Sequence, residues 1–309
     1  MIDVILLGTG GMMPLPHRWL SSLLIRVQGT ITLFDCGEGT QIAWRNTGWS
    51  LRRLGAICIS HTHADHIAGL PGLLHAVANT GRSESITIYG PAGLQGVVHG
   101  LRTIAPYLPY SLRVVELQSG QHFALPGGLL GRCVEGVHAL PVLAYRADLP
   151  RKRPFLTHRA MALGVPQRFW STLQDGLMVE WDASRVAPDQ VLGPERPGLA
   201  LAYVTDTRPT PAISELVKGV DLLVSEATYG DDADAEKAIR NSHMTFREAA
   251  TLARGARAGR LWLTHFSPGL EEPPAWITNA TDVFADTVVG SDGLVTSLNF
   301  DDRSVASIG

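Results

Sequence analysis

Ala56-Ile57-Cys58-Ile59-Ser60-His61-Thr62-His63-Ala64-Asp65-His66 holds four metal-competent side chains in its last six residues. The apolar run 56–59 has the length and composition of a buried strand, and the pattern from Ile67 to Asn79 is that of a helix. The cluster therefore sits on a strand-to-helix loop, a position where functional groups concentrate. His61 and His63, two residues apart at the end of an extended segment, point the same way. Asp65 and His66 turn the corner and can face a second ion. Two ions a few ångströms apart can activate a water and clamp a phosphate or carbonyl oxygen, which is the two-metal logic of hydrolysis. A single histidine on an apolar face is ordinarily a satisfied core residue, but four ligand types in six positions have no such use.

A dinuclear site needs more ligands than this loop supplies. Three further candidates each end an apolar run: His138 after Leu130 to Val137, Asp206 after Leu199 to Val204, and His265 after Leu261-Trp262-Leu263. Taken singly, each has an ordinary reading as a turn residue or cap. Strand ends that gather at one edge of a sheet are a common place for a site in α/β proteins, and with the first cluster these three complete two coordination spheres.

The order of elements fits that placement. Strands are predicted near Val4 to Leu7, Leu23 to Val27 and Ile31 to Phe34, then a helix near Thr40 to Asn46, then the metal strand and its helix. Next come a strand at Ile86 to Tyr89, a helix over Gly93 to Ile104 and several short strands between Arg113 and Arg146. After a polar stretch the pattern resumes with strand 199–204, helix 211–217, strand 221–225, helix 245–256, strand 260–264 and a final helix and strands. Strands outnumber helices and come in two batches. That predicts an α/β protein with two mixed sheets packed face to face and helices outside, a four-layer αβ/βα sandwich.

Composition sets the bounds. With 309 residues, 45% hydrophobic and 18% charged, the chain can bury a large core. There is no apolar run long enough for a bilayer and no basic start of a signal peptide, so no membrane association and a cytoplasmic location are expected. Cys36, Cys58 and Cys133 are odd in number and lack a CxxC, which excludes a disulfide framework and a thiolate metal site. Gly8-Thr9-Gly10-Gly11 resembles a dinucleotide turn, but GxGxxG would need glycine where Met13 stands. A tight turn that brings backbone close to the metal site is the better account.

Taken together, His61-Thr62-His63-Ala64-Asp65-His66 with Gly69, Thr205-Asp206-Thr207-Arg208-Pro209 and Thr264-His265-Phe266-Ser267 resemble the metallo-β-lactamase superfamily, and within it the ribonuclease Z branch that trims tRNA 3′ ends. The opening Leu7-Gly8-Thr9-Gly10-Gly11, Phe34-Asp35-Cys36-Gly37-Glu38-Gly39-Thr40-Gln41, His138 with Tyr145-Arg146, and Ser225-Glu226-Ala227-Thr228-Tyr229 before Ser242-His243-Met244-Thr245 fit the same family. The resemblance runs from about residue 2 to 267. It implies one zinc held by His61, His63 and His138, a second held by Asp65, His66 and His265, and Asp206 bridging the two; manganese or iron can use the same donors. It also implies that Asp65 accepts a proton from the attacking water, while His243, oriented by Glu226, donates one to the leaving group. The ordinary reading of His243 is a residue just outside a helix that starts with a capping box at Thr245-Phe246-Arg247-Glu248.

One domain over residues 1–309 is expected, with a substrate-binding arm or insertion at about 147–198. From Arg146 to Arg168 six basic residues face a single acid, Asp148, in a chain of net charge −3. Followed by Phe169 and Trp170, this stretch has the makings of a phosphate grip with an aromatic surface, or of an ordinary solvated insertion. In the family the corresponding arm holds the tRNA elbow. Leu163-Gly164-Val165-Pro166 resembles its start, but Gln167-Arg168-Phe169 follows where the family usually has Gly-Pro. The expected function is zinc-dependent removal of the 3′ trailer from precursor tRNA by a homodimer. The alternatives are hydrolysis of a small phosphodiester or ester on the same scaffold, and a metal-free binding scaffold; the filled ligand positions argue against the last.

Overall fold

The computed structural model describes residues 1–182 and 184–301. Strands β1 (Ile2–Gly8), β2 (Ser22–Val27) and β3 (Thr30–Phe34) lead to α1 (Thr40–Asn46). Strand β4 (Leu54–Cys58) precedes α2 (Ala64–Ile67) and α3 (Leu70–Ala78), followed by β5 (Ile86–Gly90), α4 (Leu94–Leu101) and β6 (Leu112–Glu116). Then come β7 (His122–Leu125), β8 (Leu129–Glu135), β9 (Leu143–Arg151), α5 (Thr157–Ala162), α6 (Trp170–Gln174), β10 (Val179–Trp181), β11 (Ser184–Val186) and α7 (Pro188–Val191). The chain continues through β12 (Arg196–Val204), α8 (Pro211–Leu216), β13 (Leu222–Glu226), α9 (Ala235–Asn241), α10 (Phe246–Ala256), β14 (Leu261–Thr264), α11 (Thr278–Thr281), β15 (Thr287–Val289) and β16 (Leu294–Leu298).

Two of the sheets have seven strands each, in the orders β16-β1-β2-β3-β4-β5-β6 and β15-β14-β13-β12-β9-β8-β7. Both are mixed. In the first, β16, β1, β2 and β3 pair antiparallel and β3 to β6 pair parallel. In the second, β12 to β15 are parallel, whereas β7, β8 and β9 are antiparallel. The inner faces meet through aromatic rings: Phe34 of β3 lies 5.9 Å from Tyr145 of β9 and 5.7 Å from Tyr203 of β12, centroid to centroid. Both tyrosine hydroxyls cross to the opposite sheet, Tyr145 donating to the Ile59 carbonyl at 2.7 Å and Tyr203 to Asp35 Oδ2 at 3.0 Å. Each buried O–H thereby keeps the partner that burial requires.

Helices cover the outer faces. Leu33 and Ile57 pack under Trp44, Leu73, Leu74 and Val98 from α1, α3 and α4. On the other side Ala202, Leu223 and Leu261 pack under Ile213 of α8 and Phe246, Ala250 and Ala253 of α10. The predicted four-layer sandwich is the observed architecture.

Two local expectations need correction. The single helix predicted from Ile67 is interrupted after α2, because the Gly69 N–H donates to the Cys36 carbonyl at 2.9 Å instead of continuing the helical ladder. A Cβ at Gly69 would lie 2.0 Å from the Gly37 carbonyl oxygen, so only glycine permits this backbone crossing. The strand before His138 ends at Glu135, two residues short of the apolar run; Val137 is exposed and its N–H donates to Thr207 Oγ1 at 2.8 Å.

The chain divides into two compact units, Met1–Leu149 with Ala200–Asn299, and Pro150–Leu199 with residues from Phe300. The second has its own small core of Ala160, Val165, Leu173, Val179, Val186 and Val191. Phe169 and Trp170, which the sequence left open between an aromatic surface and an ordinary insertion, pack on that core: Phe169 lies 5.8 Å from Trp181, Trp170 lies 5.3 Å from Phe155, and Trp170 Nε1 donates to the Val165 carbonyl at 3.1 Å. The basic stretch is largely engaged as well. Arg146 pairs with Asp148 at 2.9 Å, Lys152 with Asp175 at 2.7 Å and Arg153 with Asp189 at 2.6 Å. An aromatic ring that completes a small core is worth more there than in solvent, and that decides where Phe169 and Trp170 go.

Candidate metal centre

The loop after β4, the β8–β9 loop and the ends of β12 and β14 bring all seven sequence-predicted donors together. His61 Nε2 lies 2.9 Å from His63 Nδ1, and His138 Nε2 lies 3.2 Å from the same nitrogen. A second group forms from Asp65, His66 and His265: His66 Nε2 is 3.2 Å from His265 Nε2, and Asp65 Oδ2 is 3.4 Å from the first and 3.5 Å from the second. Asp206 divides its oxygens between the groups. Its Oδ2 is 3.7 Å from both His61 Nε2 and His138 Nε2, while Oδ1 is 3.3 Å from His66 Nε2 and 3.0 Å from His265 Nε2.

These spacings fit cations. Ligand atoms about 2.05 Å from a shared tetrahedral ion lie about 3.3 Å apart, and the observed separations scatter around that value. Three imidazole nitrogens converging on one point cannot all be satisfied by hydrogen bonds to each other, whereas a divalent cation satisfies them together. The donor set is that of a divalent-metal centre.

Side chains behind the donors fix their rings. Asp35 Oδ2 lies 2.8 Å from His66 Nδ1, and the same carboxylate accepts from the Ser60 hydroxyl at 2.8 Å and the Ser60 N–H at 2.7 Å. Ser60 Oγ is 3.0 Å from His61 Nδ1, and Thr228 Oγ1 is 3.1 Å from His265 Nδ1. Such partners set which nitrogen faces the metal and raise its basicity. Asp35, Asp206 and His265 all take positive φ, at 54°, 45° and 59°. Left-handed backbone at a strand end costs energy for these residues, and it aims the side chain across the sheet edge instead of along it. The glycine turn closes in as expected: a Cβ on Gly11 would lie 2.5 Å from His265, and the next N–H, of Met12, donates to Asp65 Oδ2 at 2.7 Å.

Sequence reasoning missed the orienting roles of Asp35, Ser60, Thr228 and Tyr203. Asp35 carries the same signal as Asp206, an acid that ends an apolar run, and applying that signal to residues 31–35 would have found it. The roles of Ser60 and Thr228 depend on which ring each touches, which only the fold supplies.

Charge follows from burial and neighbours. Burial, reinforced by His66, drives His61 well below the usual imidazole value, and burial lowers His138 too, leaving both as neutral bases able to bind a metal. Burial opposes ionisation of Asp65 and Asp206, but the histidines around them outweigh it and hold both well below the usual carboxylate range. At His243 burial disfavours the charge, yet the adjacent Glu226 carboxylate overcomes that and pushes the imidazole up to about 9. Glu226 is fully buried at the end of β13. It accepts from the Thr207 N–H at 2.7 Å, the Thr228 hydroxyl at 2.8 Å and the Met244 N–H at 3.0 Å, and faces His243 Nδ1 at 3.1 Å. The His243 ring stacks on that of His265, 5.4 Å away, and lies within reach of Asp206.

The fold and this centre define a metal-dependent hydrolase of the metallo-β-lactamase class. Residues 191–266 match the family model described as beta-lactamase superfamily domain, and residues 2–102 match one described as anti-Pycsar protein Apyc1. A protein from Clostridium kluyveri named Ribonuclease Z is 46% identical over 97% of this chain and 99% of its own. One of the same name from Lachnospira eligens is 44% identical over 98% of this chain and 100% of its own. The crystal structure of the short form of human tRNase Z superposes with a TM-score of 0.70 at 25% identity, covering 96% of this chain and 99% of that one. The chain belongs to the ribonuclease Z family.

Proposed function

We propose that this chain is a zinc-dependent endoribonuclease that removes the 3′ trailer of precursor tRNA, leaving a 3′-hydroxyl on the tRNA and a 5′-phosphate on the trailer. One observation carries the reading: a single carboxylate, Asp206, faces two three-donor groups at once, beside the Glu226–His243 pair. Full-length likeness to proteins named Ribonuclease Z supplies the substrate. In this reading His61, His63 and His138 hold one cation, Asp65, His66 and His265 hold the other, and Asp206 spans them. Two such cations supply Lewis acidity toward a phosphate oxygen and a water. Asp65, fixed by the Met12 N–H, accepts the proton of the attacking water as its oxygen bonds to phosphorus. The P–O3′ bond breaks, and His243, held by Glu226, gives its proton to the departing O3′. Manganese or iron can replace zinc on these donors.

The test sets purified protein, with zinc or with manganese, against a precursor tRNA and against bis(p-nitrophenyl) phosphate. A single cut after the discriminator base is the expected result. Turnover of the small ester alone overturns the proposal in favour of a small-phosphodiester hydrolase.

We also propose a homodimer in a reducing cytoplasm. Three buried free cysteines support the compartment. Among the described residues no helix is long and apolar enough to cross a membrane. Light scattering reads the oligomer, and a monomer at assay concentration removes that part.

A further inference from the structure

Next to the metal centre lies a pocket of about 90 Å³, the room of about three waters. Its lining includes Thr228, Tyr229, Asp234, Lys237 and Ser267. Thr228 belongs to its wall: its carbonyl accepts the Ser267 N–H at 3.1 Å, and its hydroxyl is 3.1 Å from His265 Nδ1, on the side of that ring away from the donor nitrogen. Tyr229, one of the lining residues, has its ring 6.3 Å from that of His243, the group assigned to the leaving oxygen. Lys237 Nζ sits 4.7 Å above the Tyr229 ring and 3.9 Å from Asp234 Oδ1. Both charged side chains are close to half exposed, at 46% and 41%. They form a loose, solvated pair that is cheap to open toward a ligand.

A donor and an acceptor side by side suit a ligand that both donates and accepts. A phosphate would meet the repulsion of Asp234, whereas a ribose hydroxyl can donate to Asp234 and accept from Lys237. The oxygen that His243 protonates is O3′, and the neighbouring ribose carbon bears the 2′-hydroxyl, the group that tells RNA from DNA. We infer that this pocket receives the 2′-hydroxyl edge of the ribose on the 5′ side of the cut and that Asp234 and Lys237 read that hydroxyl. The inference rests on the ribonuclease reading above.

The experiment uses precursor tRNA made with ribose throughout or with one 2′-deoxy residue at the nucleotide whose O3′ departs. Wild-type protein, Lys237→Met and Asp234→Asn are compared by kcat/KM, with metal content and melting temperature as controls. In the wild type the deoxy residue should cost about tenfold, the scale of a hydrogen bond to a charged group. In either variant the all-ribose substrate should slow by a similar factor, and the deoxy penalty should shrink below about twofold. A wild type indifferent to the deoxy residue, or variants that keep the whole penalty, overturns the assignment. Variants that lose rate equally on both substrates while the salt dependence flattens point to a phosphate contact and also overturn it. Absence of any tRNA cleavage instead removes the ribonuclease reading itself.

Discussion

Three of the histidines at the centre are held from behind by Ser60, Asp35 and Thr228, whereas His138 Nδ1 has no partner among the described residues. Asp35→Asn should therefore weaken metal affinity by about 10- to 100-fold without removing a donor, as loss of an outer carboxylate does. Competition against a chelator measures it, and unchanged affinity would show that Asp35 serves folding alone. At the opposite side of the site, His243→Ala should cut the cleavage rate by at least ~10²-fold, the scale of a lost general acid, while metal content stays unchanged. Elemental analysis separates the roles: because His243 lies close to Asp206 and His265, a fall in metal content with the rate would make it a ligand instead. His138, Asp206 and His265 were legible as reactive residue types that follow apolar runs, and His61, His63, Asp65 and His66 by their crowding into six residues after a buried strand. The positive φ of Asp35, Asp206 and His265 was not, since no local pattern announces a strained backbone that only the packed sheet edge sustains.

At the scale of elements, α10 shows how local chemistry reads through. Thr245 Oγ1 accepts the Glu248 N–H at 3.2 Å, and Glu248 Oε2 accepts the Thr245 N–H at 2.9 Å, the reciprocal pair that the spacing predicts. Thr245→Ala should cost about 1 kcal/mol and lower the melting temperature by about 2–4 °C in calorimetry; no shift would mean solvent replaces the cap. Glu248 also takes Arg208, at 2.9 Å through Nη1. Burial acts to raise its pKa, but Arg208 and the Thr245 bonds outweigh that, so the folded-state value lies below the ordinary one. A depressed carboxylate stabilises fully above its unfolded pKa, and that contribution fades as pH falls through the folded value. Glu248→Gln should flatten the acid side of the melting-temperature profile and change little near neutrality; an unchanged acid limb would assign the effect to other carboxylates. The break between α2 and α3 could not be read in this way, because Gly69 answers to a backbone 32 residues earlier, at Gly37, and not to its own neighbours.

At the scale of the whole molecule, two batches of strands with helices between them were enough for the sandwich, because strands buried on both faces leave short continuous apolar runs and amphipathic helices leave a 3.6-residue period. The insertion at about 147–198 was legible from its change in composition, but composition left its aromatics open between a grip on RNA and a solvated insertion, and only packing shows Phe169 and Trp170 against the small core of that unit. The metal donors cross the sandwich. His61, His63, Asp65 and His66 follow β4 of one sheet, while His138, Asp206 and His265 follow β8, β12 and β14 of the other. A cation shared by both sheets binds the folded state alone, so it stabilises by mass action, about 2.7 kcal/mol at a hundred times its dissociation constant. Stripping the metal should accordingly lower the melting temperature by roughly 5 °C or more, and zinc should restore it in proportion to the logarithm of its free concentration. The same titration on Asp206→Ala should show a weaker dependence, because the carboxylate that joins the two groups is gone. A melting temperature indifferent to chelation would mean that the sheets are held by Phe34, Tyr145 and Tyr203 without help from the centre they frame.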